Sequence, residues 1–596
     1  MKPTTEILEK ISENSRKNKE EIFTRLYRYM LRPDLYYLAY KNLYSNQGSA
    51  TKGVNDDTAD GFSEEKISRI IASLADETYT PNPVRREYIQ KKQNSTKKRP
   101  LGIPTFTDKL VQEVLRMILE AVYEPIFSQY SHGFRPKKSC HTALNSIKKE
   151  FTGTTWFVEG DIKGCFDNID HHVLVNIINA KIKDARFVKL IWKFLKCGYL
   201  ENWQYHATYS GCPQGGIASP ILANIYLNEL DKFAKATAEE FYRQKNGAYT
   251  AAYNKISGLI AKTKKQLTTA TGQEKTELLK QLKTLKCERM KTPCTPKNDK
   301  VMKYIRYADD FIIGVKGDKS DCEWIKRQFS QFISQTLKME LSDEKTLITH
   351  SNQYARFLGY DIRVRRDNSV KPHGNHVQRT LNGKVELCVP FADKTIPFLF
   401  EKSVIRQLQD GKIEPIARKY LYGCTDLEIV SAYNSELRGV CNYYALASNF
   451  SRLSYFAYLM EYSCLKTLAG KHKSTSSKII KKYQDGNGGW GIPYKTQKGI
   501  RLREFAKFMD CRDTDNFNDV VIDFAVRHVG TRTKFEDRLS ARECELCGKT
   551  DTALEIHHVN KVKNLKGKKF WEVMMIAKKR KTLAVCKDCH HKIHHP

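Results

Sequence analysis

The sequence predicts a multidomain protein of the α+β class, and three observations support this prediction. The chain has 596 residues and 40% of them are hydrophobic, enough to bury several cores. Short β-type runs, such as residues 156–158 and 304–315, alternate with helical stretches, such as residues 109–122. Cysteine pairs and histidines then concentrate in residues 541–596. We therefore expect a large catalytic body followed by a small metal-dependent module.

The charge of the chain indicates its partner. Lys and Arg number 101 against 67 Asp and Glu, and the net charge of +34 is spread along the whole chain. Such a charge suits a large polyanion, and nucleic acid is the expected one. A membrane protein would need an apolar run of about 18 residues or a basic amphipathic anchor, and the sequence has no such run. Its first residues also lack the apolar core of a signal peptide, so we expect a cytoplasmic protein without a membrane partner.

Local composition divides the chain further. Residues 1–80 are expected to be mostly helical, with a helix start at Ser63. Residues 233–300 are rich in Lys, Gln, Thr and Glu and predict a polar insertion, for which a solvated helical hairpin is favoured over a dedicated RNA-contact element. The aromatic stripe at residues 433–462 has the helical spacing typical of a core. A Gly-rich break at residues 486–489 then precedes a basic segment.

The first candidate site is the sequence YADD that ends at Asp310. It joins two apolar runs, which predicts a tight hairpin with Asp309 and Asp310 at its tip. Two neighbouring carboxylates repel each other unless a cation lies between them, and Mg²⁺ takes carboxylates together with substrate phosphates. Nucleotide addition on two metals needs a further acid, and Asp161, at the end of a β-type run, is the candidate. Asp167 and Asp170 are expected to cap the helix that follows.

The second candidate site lies near the C-terminus. Two Cys-x-x-Cys pairs supply four thiolates, a strong signature of structural zinc in an intracellular chain. The four cysteines are Cys544, Cys547, Cys586 and Cys589. Because four thiolates close a zinc site, the nearby histidines are left for chemistry. His557 and His558 follow a short strand, whereas His590 and His594 lie four residues apart and share one helical face. A zinc ribbon with solvated histidines is the alternative.

These pieces, in this order, resemble the sequence blocks of reverse transcriptases. The Asp161 block resembles the first acidic motif of the palm, the Gly/Pro loop at residues 211–220 the motif that contacts template and nucleotide, and YADD the second acidic motif. The resemblance implies the fingers and antiparallel palm sheet of a right-hand polymerase. Two Mg²⁺ ions would then be held by Asp161, Asp309 and Asp310. The implied contacts to the incoming nucleotide are Arg99, Lys91 or its neighbour Lys92, Phe166, Gln214 and Lys345.

Individual roles follow from the same resemblance. Arg99 lies in a block that matches the fingers motif and would clamp the triphosphate, and Lys345 would contact the nucleotide phosphates. Phe166, five positions after Asp161, matches the aromatic gate by which reverse transcriptases exclude a 2′-hydroxyl. The expected substrates are therefore deoxynucleoside triphosphates. Residues 357–360 match a segment of the primer grip.

Over essentially its whole length, the chain resembles group II intron-encoded proteins. Residues 52–62 resemble the block ahead of the fingers, residues 131–136 the finger insertion, and the region after residue 376 an α-helical thumb. The resemblance implies two nucleic-acid partners, a group II intron RNA in a ribonucleoprotein and a double-stranded DNA target in the bacterial cytoplasm. The implied domains are an N-terminal extension (1–80), fingers and palm (81–375), thumb or maturase (376–475), a DNA-binding domain (476–540) and an HNH endonuclease domain (541–596).

The C-terminal module resembles HNH nucleases, which implies a small ββα-metal fold stabilised by the zinc. By that match His558 is the general base that activates water. The ligands of one Mg²⁺ or similar ion at the scissile phosphate are, by the same match, His557, His590 and His594. The family often has a middle Asn where this chain has residues 582–585, so Asn560 or Asn564 is the candidate orienting residue.

The basic segment ahead of this module is expected, from its position, to bind target DNA. Its candidate contacts are Lys481, Lys482, Arg501 and Arg503. Charge alone supports phosphate contacts without sequence readout. The predicted function is intron homing, in which the protein promotes splicing, cuts the second DNA strand and extends the new 3′ end. The alternatives are a splicing cofactor with an inactive polymerase scaffold, which the intact acids argue against, and a free-standing defence reverse transcriptase, which the C-terminal module argues against.

Overall fold

A computed structural model describes most of the chain. The described residues are 4–90, 98–242, 249–294, 300–367, 369–374, 376–379, 383–484, 489–496, 499–512, 538–539, 541–559, 561–565, 567, 569–577 and 580–595. Lys91, Lys92 and Asn560 lie outside them, as do residues 513–537 of the predicted DNA-binding domain. Among the described residues, no helix is both long enough and apolar enough to span a membrane.

The N-terminal region is mostly helical, as the sequence predicts. Its elements are α1 (Thr4–Lys17), α2 (Tyr27–Met30), α3 (Pro33–Leu43), the short strand β1 (Phe62–Ser63) and α4 (Glu64–Ala75). Helix α4 begins at the predicted place because Ser63 Oγ accepts a hydrogen bond from the backbone N–H of Lys66 at 3.2 Å.

The region from residue 84 to residue 388 alternates strands and helices, which confirms the α+β prediction. Its strands are β2 (Val84–Gln90), β3 (Lys98–Ile103), β4 (Trp156–Asp161), β5 (Tyr199–Glu201), β6 (Gln204–His206), β7 (Val301–Tyr307), β8 (Asp310–Lys316), β9 (Ile348–His350), β10 (Ala355–Phe357), β11 (Tyr360–Val364), β12 (Val370–His373), β13 (His376–Arg379) and β14 (Val385–Cys388). Its helices are α5 (Phe106–Tyr123), α6 (Cys140–Glu150), α7 (His171–Lys181), α8 (Ala185–Leu195), α9 (Ser219–Phe241), α10 (Ala251–Leu267), α11 (Gly272–Lys291) and α12 (Lys319–Gln335).

A four-stranded sheet carries the first candidate site. Its strand order is β7-β8-β4-β9, and every neighbouring pair in it is antiparallel. Residues 311–315 of β8 are buried without alternation, because helices such as α12 cover the sheet. A strand buried on both faces is held rigidly, so the carboxylates at its end have a fixed position.

The predicted insertion is a helical hairpin, in which α10 and α11 pack against each other. The buried residues of these two helices are Ile260, Thr263 and Leu282. The start of the insertion differs from the prediction, because residues 233–241 continue α9. The ring of Phe233 stacks on that of Phe332 at 4.2 Å, so this stretch packs on the core that includes the four-stranded sheet.

The region after residue 390 is helical with small hairpins. Its elements are α13 (Ile396–Glu401), β15 (Ile405–Gln407), β16 (Ile413–Pro415), α14 (Asp426–Tyr443), α15 (Leu453–Lys471), α16 (Ser476–Tyr483), β17 (Gly491–Thr496) and β18 (Gly499–Glu504). The aromatic stripe was predicted as core, which is right for the fully buried Tyr433 on α14. It is also right for Phe456 on α15, which is fully buried, but wrong for Tyr455, Tyr458 and Tyr462 on the same helix, which are 44%, 46% and 39% exposed. Their spacing of three and four residues places them together on the outward face of the helix.

The C-terminal module packs on the N-terminal region, which the sequence did not predict. Its elements are β19 (Leu554–His558), α17 (Phe570–Ala577), β20 (Thr582–Cys586) and α18 (Lys587–His594). Strand β1 extends its sheet to the order β1-β19-β20, with Phe62 opposite Ile556. Apolar residues of the module and of α3 belong to one core. A two-residue strand has no periodicity to read, and its partner lies far away in the chain.

Two candidate metal centres

The YADD sequence forms the predicted hairpin. Strands β7 and β8 are joined by two residues, Ala308 and Asp309, and Tyr307 pairs with Asp310 across the turn. Ala308 has a positive φ of 55°, a conformation that the tight turn imposes on a residue other than glycine. Asp309 therefore lies in the turn itself, and Asp310 begins the returning strand.

Buried residues hold this turn in place. Arg306 is fully buried, donates to the Asp231 carboxylate at 2.6 Å and donates to the carbonyl of Ala308 at 2.8 Å. Gly133 lies so close to the turn that a Cβ atom there would be 2.2 Å from the nitrogen of Ala308. Sequence reasoning missed Arg306 and Asp231. The available signal was an arginine inside an otherwise apolar strand, which needs a buried partner.

Three carboxylates meet at the end of the sheet. Asp310 lies directly opposite Asp161 in the antiparallel register of β4 and β8. Burial, a hydrogen bond with Asp161 and the charge of Asp309 raise the pKa of Asp310 to about 7. Burial also raises the pKa of Asp309. Carboxylates that resist ionisation in this way are suited to a divalent cation, which would remove their mutual repulsion.

Two predicted phosphate contacts border these acids. The Lys345 Nζ donates to Asp161 Oδ2 at 2.7 Å, and 66% of its side chain is exposed. Arg99 is an exposed residue of β3, and its charge lowers the pKa of Asp309 against the stronger effect of burial, which shows that it faces the site. Both cations thus lie where an incoming triphosphate can reach them. Lys91 lies outside the described residues.

Phe166 lies on a turn, and Gln214 on the Gly/Pro loop, beside the acids. Phe166 is in the 3₁₀ turn Cys165–Asp167, with its ring 6.1 Å from that of Phe134 in an edge-to-face arrangement. Gln214 Nε2 donates to Asp167 Oδ2 at 3.0 Å, and its carbonyl accepts from the N–H of Gly102 at 2.6 Å. The predicted Gly/Pro loop therefore connects the β2–β3 hairpin to the 3₁₀ turn that follows β4.

One prediction about neighbouring acids is only half right. Asp170 caps α7, since its Oδ1 accepts from the N–H of Val173 at 2.9 Å. Asp167 caps no helix, because it ends the 3₁₀ turn and its carboxylate binds Gln214 instead. Residue type alone did not distinguish the two acids, whose roles depend on where the turn ends.

Two tyrosines at the end of α14 hold the turn within residues 357–360, the segment expected to resemble a primer grip. Leu358 and Gly359 form the turn between β10 and β11, with φ values of 47° and 69°. The hydroxyl of Tyr443 donates to the carbonyl of Leu358 at 2.6 Å, and that of Tyr444 to the carbonyl of Gly359 at 3.2 Å. These hydrogen bonds connect the palm to α14. Sequence reasoning assigned these tyrosines to the thumb without this role.

The four cysteines of the C-terminal module converge as predicted. Their sulfur atoms all lie within 4.8 Å of one another. The sulfurs of Cys547 and Cys586 are 3.9 Å apart, close to the edge of about 3.8 Å that four Zn–S bonds of about 2.3 Å would give. The backbone N–H of Cys586 donates to the sulfur of Cys544, an arrangement that favours a thiolate. This donor set is consistent with a structural zinc site.

The three predicted nuclease ligands converge around a fourth residue. His557, His590 and His594 are joined by Asp60, and one donor atom from each of the four lies within 4.8 Å of the others. Burial opposes the charged form of His590, but hydrogen bonds with Asp60 and Glu555 outweigh it and raise its pKa to about 9. Three imidazoles suit a transition-metal ion better than Mg²⁺, which prefers oxygen. Nothing near Asp60 in the sequence marked it, since no local pattern joins it to a histidine 498 residues away.

The predicted general base is held by the N-terminal region. His558 is 7% exposed, and its Nε2 lies 3.1 Å from the carbonyl of Tyr44. Because a carbonyl only accepts, Nε2 carries the proton. Burial lowers the pKa of His558 and favours the neutral ring, so its lone pair is on Nδ1. The Tyr44 carbonyl therefore takes the orienting role that was predicted for Asn560 or Asn564; Asn560 lies outside the described residues, and Asn564 is exposed on a 3₁₀ turn.

The predicted DNA contacts lie on two exposed elements. Lys481 and Lys482 are exposed in the last turn of α16. Arg501 and Arg503 are exposed on β18, which pairs with β17 in a two-stranded hairpin. The structure thus leaves these four cations accessible to a polyanion.

Comparison with known families supports three functional regions. The reverse transcriptase (RNA-dependent DNA polymerase) family matches residues 89–253, and the type II intron maturase family matches residues 382–534. The AI2M/AI1M-like HNH endonuclease family matches residues 544–590. The matched ranges contain the Asp161 block and the cysteine and histidine residues up to His590.

Individual relatives match the chain over nearly its full length. The group II intron-encoded protein LtrA of Lactococcus lactis subsp. cremoris is 60% identical over 597 residues, which cover 100% of both chains. The 91 kDa protein in the cob intron of Schizosaccharomyces pombe is 34% identical over 99% of this chain and 72% of its own. Apo telomerase from Candida tropicalis shares 13% identity over 68% of this chain and 59% of its own, but its TM-score of 0.33 supports no argument. On the full-length match, the chain belongs to the group II intron-encoded proteins and combines reverse transcriptase, maturase and HNH endonuclease regions.

Proposed function

We propose that this protein carries out target-primed reverse transcription of a group II intron RNA, with the sites described above as its two catalytic centres. Asp161, Asp309 and Asp310 form the polymerase centre, and His558 is the base of the nuclease centre. The observation that carries the proposal is the register that places Asp310 opposite Asp161, with Asp309 in the adjoining turn. A splicing cofactor would not need three acids held together in this way.

In the polymerase centre, the protein positions the reactants. Two bound Mg²⁺ ions would supply charge neutralisation at the phosphates and at the 3′-hydroxyl. Arg99 and Lys345 bind the triphosphate as exposed cations whose charges act on Asp309. Phe166 fills the space beside the sugar and excludes a 2′-hydroxyl. The turn at Leu358, held by the thumb tyrosines, is placed to support the primer end.

In the nuclease centre, His558 accepts the proton of the attacking water at Nδ1, the nitrogen that its contact with Tyr44 leaves unprotonated. A divalent ion bound by His557, His590 and His594 would stabilise charge at the scissile phosphate. The zinc would fix the module by its four cysteines. Arg538 donates a hydrogen bond to Glu545 at 2.7 Å and so stabilises the loop of the first cysteine pair.

The remaining surfaces suit nucleic acid. The net charge of +34, the maturase match over residues 382–534 and the exposed tyrosines of α15 favour binding of intron RNA by the thumb. The exposed cations Lys481, Lys482, Arg501 and Arg503 would contact the phosphates of a double-stranded DNA target. We keep the predicted domain divisions, 1–80, 81–375, 376–475, 476–540 and 541–596, as part of this proposal.

The test uses the protein purified with its intron RNA and assays splicing, cDNA synthesis and second-strand nicking separately. Asp309→Ala should abolish cDNA synthesis and leave splicing intact, and His558→Ala should abolish nicking with the zinc content unchanged. Glu323→Gln, which removes an exposed carboxylate from α12, is the matched control. Persistent cDNA synthesis in Asp309→Ala, or persistent nicking in His558→Ala, would show that the corresponding centre is elsewhere.

A further inference from the structure

The nuclease histidines do not form their cluster alone. Strand β1 of the N-terminal region adds to the nuclease sheet, and the N–H of Gly61 donates to the carbonyl of Ile556 at 3.1 Å. Asp60 immediately precedes this contact, and its Oδ1 accepts from the backbone N–H of His558 at 2.6 Å. Backbone pairing therefore fixes the Asp60 carboxylate at the end of β19, where His557 and His558 are.

The distances around Asp60 are those of a coordination sphere. Asp60 Oδ1 is 3.2 Å from His557 Nδ1 and 3.2 Å from His590 Nε2, and the Nε2 atoms of His590 and His594 are 3.3 Å apart. Four ligands at about 2.0–2.1 Å from a tetrahedral ion are separated by about 3.3–3.4 Å. The remaining contact, His594 Nε2 to Asp60 Oδ2, is 2.7 Å. Three of the four separations thus match a tetrahedral edge.

The chemistry of His557 is a second, independent sign of a missing ligand partner. The residue is 3% exposed; its Nδ1 lies 3.2 Å from Asp60 Oδ1 without the geometry of a hydrogen bond, and its Nε2 has no hydrogen-bond partner among the described residues. A buried imidazole whose ring nitrogens make no hydrogen bond is costly unless something else binds it. Its Nδ1 faces the centre of the cluster, where an ion would satisfy it.

We propose that Asp60 is the fourth protein ligand of the nuclease ion, a divalent transition metal, and that it closes the coordination sphere in the resting protein. The inference rests on the proposed role of the three histidines. A metal site with four protein ligands is closed, whereas a catalytic site keeps a position open for water or substrate. The oxygen of a DNA phosphate, an anionic donor like a carboxylate, would take the position that Asp60 leaves.

The same docking keeps the centre ready to act. The Tyr44 carbonyl holds His558 in the required tautomer, and Phe62 is fully buried with its ring 3.9 Å from that of Tyr40. Displacing the Asp60 side chain breaks neither contact. The N-terminal region would therefore orient the base at all times and block the ion only until a phosphate replaces Asp60.

The test compares the unchanged full-length chain with four variants, all with zinc in the cysteine site. Asp60→Asn removes the anionic ligand with little change in shape, and His590→Ala removes a histidine ligand. Glu65→Gln is the matched control. Glu65 pairs with Lys587 at 2.6 Å across the same interface, but it is exposed and is not one of the proposed ligands of the ion. Asp60→Ser is a second variant without a carboxylate, and cDNA synthesis reports whether each variant is folded.

The first readout is the affinity for Co²⁺, measured by titration calorimetry. We expect Asp60→Asn to weaken binding by about tenfold or more, since even residues that only support metal ligands are worth about that much. Glu65→Gln should change it less than about twofold. Unchanged Co²⁺ affinity in both Asp60 variants would overturn the role of Asp60 as a ligand but leave the proposed nuclease site in place. Unchanged affinity in His590→Ala would overturn the proposed nuclease site as well.

The second readout is nicking of supercoiled plasmid at saturating Mn²⁺ without RNA. The inference predicts faster nicking by Asp60→Asn than by the unchanged chain, because the ion has an open position. Nicking that is equal or slower, together with weakened metal binding, would make Asp60 part of the working catalytic sphere and would overturn the closed resting state.

Discussion

In our proposals the polymerase centre is open, whereas the nuclease centre is closed by Asp60. The polymerase acids come from neighbouring strands of one sheet, and Lys345 beside them is largely exposed. Two of the proposed nuclease ligands, Asp60 and His590, are 530 positions apart in the chain; His557 and His590 are buried, whereas His594 is exposed. By these proposals, a substrate meets the exposed Lys345 at the first centre but must displace Asp60 at the second. One chain can thus combine a polymerase site that is accessible at rest with a nuclease site that is blocked until its DNA target binds.

The largest expected effect is the loss of one activity without the other when a residue of one centre is mutated. Asp309→Ala should lower the rate of cDNA synthesis by about 10³-fold or more, because losing a carboxylate that holds the metals costs several kcal/mol of transition-state stabilisation. Nicking by the same protein should be unchanged. Primer extension and plasmid nicking, measured on one preparation, check both statements. A parallel loss of nicking would show that the centres depend on each other.

Removal of the zinc site should affect only the closed centre. Cys586→Ser removes one of four thiolates, so bound zinc measured by elemental analysis should fall from about one to near zero per chain. Nicking should be lost, because β20 and α18 meet at this cysteine. cDNA synthesis should remain, and its loss would mean that the polymerase depends on the nuclease module for folding.

The buried ion pair of Arg306 and Asp231, behind the YADD turn of the polymerase centre, should contribute to the free energy of unfolding. Asp231→Asn leaves Arg306 fully buried without its counter-charge, which should cost about 3–5 kcal/mol of unfolding free energy. Glu414→Gln removes a surface carboxylate that pairs with Arg406 and Lys466, and it should cost far less, because solvent screens surface pairs. Chemical denaturation measures both. Similar small costs for the two variants would mean that Arg306 does not hold the turn.

The smallest expected effect is the pH dependence of Mg²⁺ binding at the polymerase centre. The pKa of Asp310 is raised from 3.8 to about 7, so its protonated form stabilises the metal-free fold below about pH 4, and that stability is lost as pH rises through 7. Metal binding must release this proton. The Mg²⁺ concentration for half-maximal cDNA synthesis should therefore rise by up to about tenfold between pH 7 and pH 6. A flat dependence would indicate that Asp310 is ionised without metal.

Sequence reasoning succeeded where function depends on local order in the chain. The YADD hairpin, the Ser63 cap, the helical insertion and the convergence of four cysteines all follow from residues close together or from a strong ligand type. It failed where a contact joins distant residues. Strand β1 is too short to show periodicity, and Asp60 and Tyr44 act through a carboxylate and a backbone carbonyl that any turn could have supplied. The outward tyrosines of α15 show that helical spacing gives a common face but not which side is buried.

The contrast between the two centres is tested most directly by the visible absorption spectrum of the full-length chain with zinc in its cysteine site and Co²⁺ added. Four-coordinate Co²⁺ absorbs far more strongly than six-coordinate Co²⁺, and the polymerase acids would bind the ion with water in the weakly absorbing form. We predict one strongly absorbing Co²⁺ per chain, and a shifted spectrum in Asp60→Asn, because water replaces the carboxylate beside the three histidines. A weak spectrum in the unchanged chain, or a spectrum that is identical in Asp60→Asn, would contradict a nuclease centre closed by Asp60.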